Sequence, residues 1–156
     1  MTPILSHLSS LILALLTLPI AANAAAPLPS CAVVGDSMAV GAGHYMRACK
    51  VNARIGISSK AVIARVNPSA AVNVVSAGSN DPDSPNLRAN LERIRSRAKR
   101  VIWILPINAR ARAAVQTVAT EHGDAVVAFS PAGDRVHPRS EVALARSIVT
   151  VMGERS

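Results

Sequence analysis

Ser37 stands in "VVGDSMAVG", where an apolar run ends in glycine and aspartate and hands over to a helical pattern. A serine at such a junction is either a helix cap or a nucleophile. A hydroxyl attacks only if a base removes its proton. The chain offers a base far downstream, in "GDRVHP", where Asp134 precedes His137 by three residues. A neutral imidazole accepts a proton near neutral pH, and a carboxylate in the same loop can hold its other ring nitrogen and fix the tautomer. Attack on a carboxylic ester would place negative charge on the carbonyl oxygen, which needs preorganised donors. Three candidates exist: the backbone N–H of Ser37, the N–H of Gly56 in "RIGISS", and the side-chain amide of Asn80 in "AGSND". Gly56 has no side chain to obstruct close approach of its backbone.

These residues are scattered over about a hundred positions, so the fold must gather them. Short β-branched runs alternate with Ala-rich helical stretches. "CAVVG", "KVNARIG", "AVNVVSAG", "RVIWILP" and "AVVAFS" read as strands. The intervening "SMAVGAGHYMRAC", "SSKAVIARVN", "NLRANLERIRSRAK" and "ARARAAVQTVATEHG" read as helices, and "SEVALARSIVTVMG" as a closing helix with Ser140 as its N-cap. In the third helix Leu87, Leu91, Ile94 and Ala98 fall on one face. Strand–helix alternation with short links predicts a parallel sheet covered on both faces. The expected fold is a three-layer α/β/α sandwich around a flavodoxin-like five-stranded parallel sheet. In such sheets ligands sit beyond the carboxyl ends of the strands. Gly35-Asp36-Ser37, Gly56, Gly78 to Asp81, and Asp134 to His137 each follow a strand, so all should meet on that one rim.

With the blocks in place, "GDSMAVG", "RIGISS", "AGSND" and "DRVHP" resemble, in order, the four blocks of the SGNH hydrolases, also called GDSL esterases and lipases. The resemblance runs from Val33 to Pro138. It implies the same sandwich fold, with Ser37 as nucleophile and oxyanion donor, Gly56 and Asn80 as further donors, and Asp134 and His137 completing a triad. Met38 replaces the leucine of one family name, and Ser59 stands where a second glycine is common. The chain is short for the family, which suggests an open, shallow site. The implied activity is hydrolysis of carboxylic esters through an acyl-enzyme, on O-acyl groups of envelope glycans or on small lipid esters. Acyl transfer to a glycan hydroxyl, or glycan binding without catalysis, are the competing readings.

Other chemistries find little support. No Cys-x-x-Cys or His-x-x-x-His pattern occurs, so no metal and no cofactor is expected. His44 and His122 lie within helical stretches as bystanders, and Asp36 reads as a structural hydrogen-bonding residue. Gly35, Gly41 and Gly43 do not make a dinucleotide fingerprint. Ala39 excludes the Gly-x-Ser-x-Gly elbow. The serine also comes first of its set, unlike the order in chymotrypsin-like proteases.

The chain has 156 residues and a net charge of +8. Its first 35 residues lack any charged side chain, and the apolar run from Leu8 to Ile20 leads into Ala22-Asn23-Ala24. Residues 1–24 read as a signal peptide cleaved after Ala24, leaving one domain over 25–156 that is secreted or periplasmic. An uncleaved membrane anchor, or lipid processing at Cys31, are the alternatives. Export favours pairing of Cys31 with Cys49, since both should lie at one end of the domain. The alternative is two free buried thiols. Aromatic residues are 2% of the chain, too few for stacking on nucleic-acid bases. The cluster Arg88, Arg93, Arg95, Arg97, Lys99 and Arg100 reads as a solvated helix face. The expected partner is an ester substrate, an acylated glycan or a lipid, with no nucleic acid, no stable membrane span after signal cleavage, and a monomeric protein.

Overall fold

The computed structural model describes residues 29–154. The expected leader and its cleavage after Ala24 lie outside the described residues. Strands β1 (Cys31–Gly35), β2 (Lys50–Ala53), β3 (Val72–Ser76), β4 (Val101–Ile104) and β5 (Ala125–Val127) form one sheet. Its order is β2-β1-β3-β4-β5 and every neighbouring pair is parallel. The connecting helices are α1 (Ser37–Tyr45), α2 (Ser59–Ile63), α3 (Leu87–Ser96) and α4 (Ala109–His122), and α5 (Glu141–Glu154) follows β5. No helix among the described residues is long and apolar enough to cross a membrane.

The β-branched runs become strands because both of their faces are buried. Successive side chains of a strand point to opposite faces, so each central strand feeds two cores. Val34, Val75 and Trp103 pack with Leu91 of α3 and Val115 of α4. Their neighbours Val33, Val74 and Ile102 pack on the other side with Ala42 of α1 and Ile148 of α5. The result is the expected three-layer α/β/α sandwich. At the sheet's edge β2 is largely exposed and reads "KVNA", with a polar residue at every second place.

Most segments are shorter than their sequence suggests, and α1, α2 and β5 show why. α1 stops at Tyr45, not at Cys49, because the chain must turn to start β2 at Lys50. Cys49 sits in that turn, where its Cα lies 4.7 Å from that of Cys31 and the two form a disulfide. α2 ends at Ile63, ahead of the Asn67–Pro68 stop. β5 ends at Val127, since beyond it the chain leaves the only neighbouring strand. Ser140 caps α5 as expected, its hydroxyl accepting from the N–H of Ala143 at 3.2 Å.

The disulfide ties the amino end of β1 to the start of β2, at the end of the sheet opposite the strand-end rim. It closes a loop with a sequence separation of 18, which by chain entropy is worth about 3 kcal/mol. A Cys31→Ala/Cys49→Ala variant is expected to lose about that much unfolding free energy, measured as a lowered urea midpoint.

Two local features place the serine and the histidine. Gly35, with φ at +136°, ends β1 where an added Cβ would lie 2.0 Å from the Ser76 carbonyl oxygen. Only glycine fits there, so the chain can turn sharply from strand into α1. At the far edge, the chain leaving β5 must return to the face that α1 covers, because α5 packs there. Three strand intervals separate β5 from β1, a span of about 14 Å. The segment 128–140 makes that crossing over the carboxyl rim. Gly41 of α1 faces the start of α5, where a Cβ on it would displace the Glu141 carboxyl, 2.3 Å away.

Candidate active site

Ser37 opens α1, and its backbone N–H has no partner inside the helix, as expected at a first position. The preceding Asp36 is the N-cap and accepts from the N–H of Met38 at 3.2 Å. The same oxygen accepts from the Ser76 hydroxyl at 2.6 Å, which joins the end of β1 to the end of β3. Asp36 is fully buried, and burial pushes its carboxyl up from the ordinary value. The Ser76 hydroxyl, the Met38 N–H, the nearby Ser79 hydroxyl and His137 act against that shift. Ser79 stands close without reaching hydrogen-bond geometry, and the second Asp36 oxygen has no hydrogen-bond partner.

Asp36 is therefore a structural residue with two separable parts. Asp36→Ala removes the cap and strands the Ser76 hydroxyl, so a loss of about 2–4 kcal/mol in unfolding free energy is expected. Asp36→Asn keeps the accepting oxygen and removes the buried charge. A carboxyl raised above its unfolded value makes stability fall as pH rises through that window. The stability of Asp36→Asn relative to the natural protein should thus increase from pH 4 to pH 7, read from urea titrations at both.

His137 and Asp134 lie on the crossing segment, which is held closed by its own backbone. Ala132 N–H donates to the His137 carbonyl at 2.7 Å, and Arg139 N–H to the Ser130 carbonyl at 2.8 Å. Within it, Asp134 Oδ1 accepts from the backbone N–H groups of Val136 and His137 at 2.9 and 3.0 Å. Its Oδ2 stands 2.6 Å from His137 Nδ1. These bonds, the Val136 N–H first, then the His137 ring and the His137 N–H, hold the Asp134 carboxyl down at about 2. It is therefore an anion that can only accept, so Nδ1 carries the ring proton. That leaves the Nε2 lone pair facing Ser37, whose Oγ is 3.0 Å away, and the hydroxyl donates to it. Three expected site residues, Ser37, His137 and Asp134, thus form one hydrogen-bonded line across a sequence separation of 100.

Gly56 follows β2 with φ at +76° and open space where a side chain would be. Asn80 follows β3, and its amide donates to the Ile57 carbonyl at 3.0 Å. That bond uses one amide hydrogen and fixes the plane of the other. The loops of Gly56 and Asn80 are thereby joined.

A second joint was not read from the sequence. Ser59 is fully buried, and Asp81 accepts from its backbone N–H at 3.0 Å and from its hydroxyl at 2.6 Å. The Asn90 amide donates to the same hydroxyl at 2.9 Å. Ser59 therefore staples the β2–α2 loop to the β3–α3 loop and to α3. The available signal was Asn90 itself, a polar residue on the Leu87–Leu91–Ile94 stripe. His44 is exposed on α1, and His122 closes α4 beside Glu92 at 2.8 Å, both away from this line. Among the described residues no cluster of His, Cys, Asp or Glu could hold a metal ion.

Fold and site together describe a three-layer α/β/α sandwich with a hydrogen-bonded Ser–His–Asp line at its carboxyl rim. No protein-family profile matches the chain, and no curated protein matches it in sequence. Among solved structures it is similar to the C-terminal catalytic domain of Streptococcus pneumoniae peptidoglycan O-acetyltransferase A, determined with a methylsulfonyl adduct. The TM-score is 0.55 at 15% identity, over 81% of this chain and 92% of that one. At that identity the likeness is one of fold.

Proposed function

We propose that this protein is an exported serine esterase of the SGNH type, cleaving carboxylic esters through an acyl-enzyme. The observation that carries the reading is the line Ser37 Oγ–His137 Nε2 at 3.0 Å and His137 Nδ1–Asp134 Oδ2 at 2.6 Å. Ser37 Oγ attacks the ester carbonyl as Nε2 takes its proton, and the Asp134 anion stabilises the resulting imidazolium. The tetrahedral oxygen is received by the Ser37 and Gly56 N–H groups and the free Asn80 amide hydrogen. Collapse expels the alcohol, which takes the proton from Nε2. Water, activated by the same nitrogen, then attacks the acyl-serine and releases the acid.

Acyl transfer is the second reading, favoured by the likeness to a peptidoglycan O-acetyltransferase domain. The two share every step up to the acyl-enzyme and differ in whether water or a sugar hydroxyl receives the acyl group. The Cys31–Cys49 disulfide supports an extracytoplasmic location, secreted or periplasmic. The protein is assayed on short-chain chromogenic esters, with products analysed in the presence and absence of glycan acceptors, and Ser37 is probed with a fluorophosphonate. Turnover with covalent labelling at Ser37 is expected. Turnover of esters without labelling at Ser37 would overturn the assignment.

A further inference from the structure

Beside the triad loop lies a cavity of about 320 Å³, lined by Ser79, Ile107, Asn108, Asp134, Arg135 and Val136. Asp134 lines it and also binds His137, so the cavity borders the far end of the Ser37–His137–Asp134 line. Among the described residues Arg135 is the one non-glycine residue with a positive φ, at 56°. That conformation disfavours a long side chain, and glycine or asparagine would occupy it more readily. The turn itself uses only the backbone of Arg135, whose N–H donates to the Ala132 carbonyl at 3.1 Å. Its guanidinium makes no hydrogen bond or ion pair among the described residues. An exposed, long side chain without a partner at a left-handed position turns attention to a ligand.

The other groups of the cavity fit the same ligand class. Asn108 Oδ1 is used by the N–H groups of Arg110 and Ala111 at 3.0 and 3.1 Å. Its amide hydrogens make no bond among the described residues. The one carboxylate present, Asp134, has both oxygens engaged. The cavity thus offers unspent donors and a cation, with no unspent anion, between the apolar walls of Ile107 and Val136. We propose that it is a subsite for a carboxylate on the substrate, with Arg135 and Asn108 as its recognition groups and Arg135 as the residue that sets preference for an acidic sugar ester. A guanidinium binds a carboxylate through paired, charge-assisted bonds, and the apolar walls suit a sugar-ring face. This inference rests on the esterase reading for its consequence, though not for its binding.

Two readouts separate the two claims. The first is the ratio of kcat/KM for O-acetylated glucuronate over O-acetylated glucose, a pair differing at the carboxylate. The natural protein should favour the uronate about tenfold or more, and Arg135→Asn, which suits the left-handed backbone, should bring the ratio close to one. The second is the Kd of unacetylated glucuronate by calorimetry, which requires no turnover. It should weaken about tenfold in Arg135→Asn and in Asn108→Asp, a variant that keeps a side-chain oxygen for the α4 cap. Loss of glucuronate binding in both variants with no ester turnover by the natural protein would refute the esterase reading and sustain the subsite. An unchanged Kd and an unchanged ratio in Arg135→Asn would overturn the subsite, even with esterase activity intact.

Discussion

Asp134→Asn is expected to lower kcat by about four orders of magnitude while leaving the protein folded. The reason lies in how the two carboxylate oxygens are divided. Oδ1 receives two backbone N–H groups, which an amide nitrogen cannot replace. An asparagine would therefore keep its oxygen there and turn its NH₂ toward His137 Nδ1. The ring must then accept at Nδ1 and carry its proton on Nε2, so nothing is left to take the proton of Ser37. Geometry survives and the tautomer is wrong. Assay of kcat on a short-chain ester checks the effect, and a loss below tenfold would remove Asp134 from the triad.

The same variant carries a stability signature of known sign. The Asp134 carboxyl is depressed to about 2 from an ordinary 3.8. Its contribution is complete above the unfolded value and disappears as pH falls through the folded one. Any advantage of the natural protein over Asp134→Asn in thermal unfolding should shrink as pH falls from about 5 toward 2.

The largest loss is expected for Ser37→Ala, at about a million-fold in kcat. Without Oγ there is no acyl-enzyme, and what persists comes from the oxyanion donors acting on bound substrate. Fluorophosphonate labelling should vanish with it. Since Ser37 and His137 act in one step, adding His137→Ala should cost little more. A further loss of a thousandfold in the double variant would mean that the two residues act separately, against the proposed proton transfer.

The layered fold was legible because its cause is local. β-branched runs such as "CAVVG" and "RVIWI" are buried on both faces, and amphipathic Leu87–Ile94 covers one of them. Parallel pairing then requires the residues after each strand to share a rim, which is why the sequence alone groups Ser37, Gly56, Asn80 and the Asp134–His137 loop. What stayed hidden depends on contacts between segments remote in sequence. The early end of α1 follows from the turn carrying Cys49 back to Cys31. The Ser59–Asp81–Asn90 staple needs three elements at once. The left-handed backbone at Arg135 depends on a loop stitched to itself, and no local preference of arginine announces it.

The wide separation between Ser37 and His137 has a temporal meaning. The serine lies on the first strand–helix turn of the described residues, and the histidine on a loop a hundred residues later. On the proposed chemistry, a chain still being made carries a serine with nothing to awaken it, and reactivity dawns only once the loop bearing His137 has closed over the rim. Order of synthesis thus acts as a safety catch.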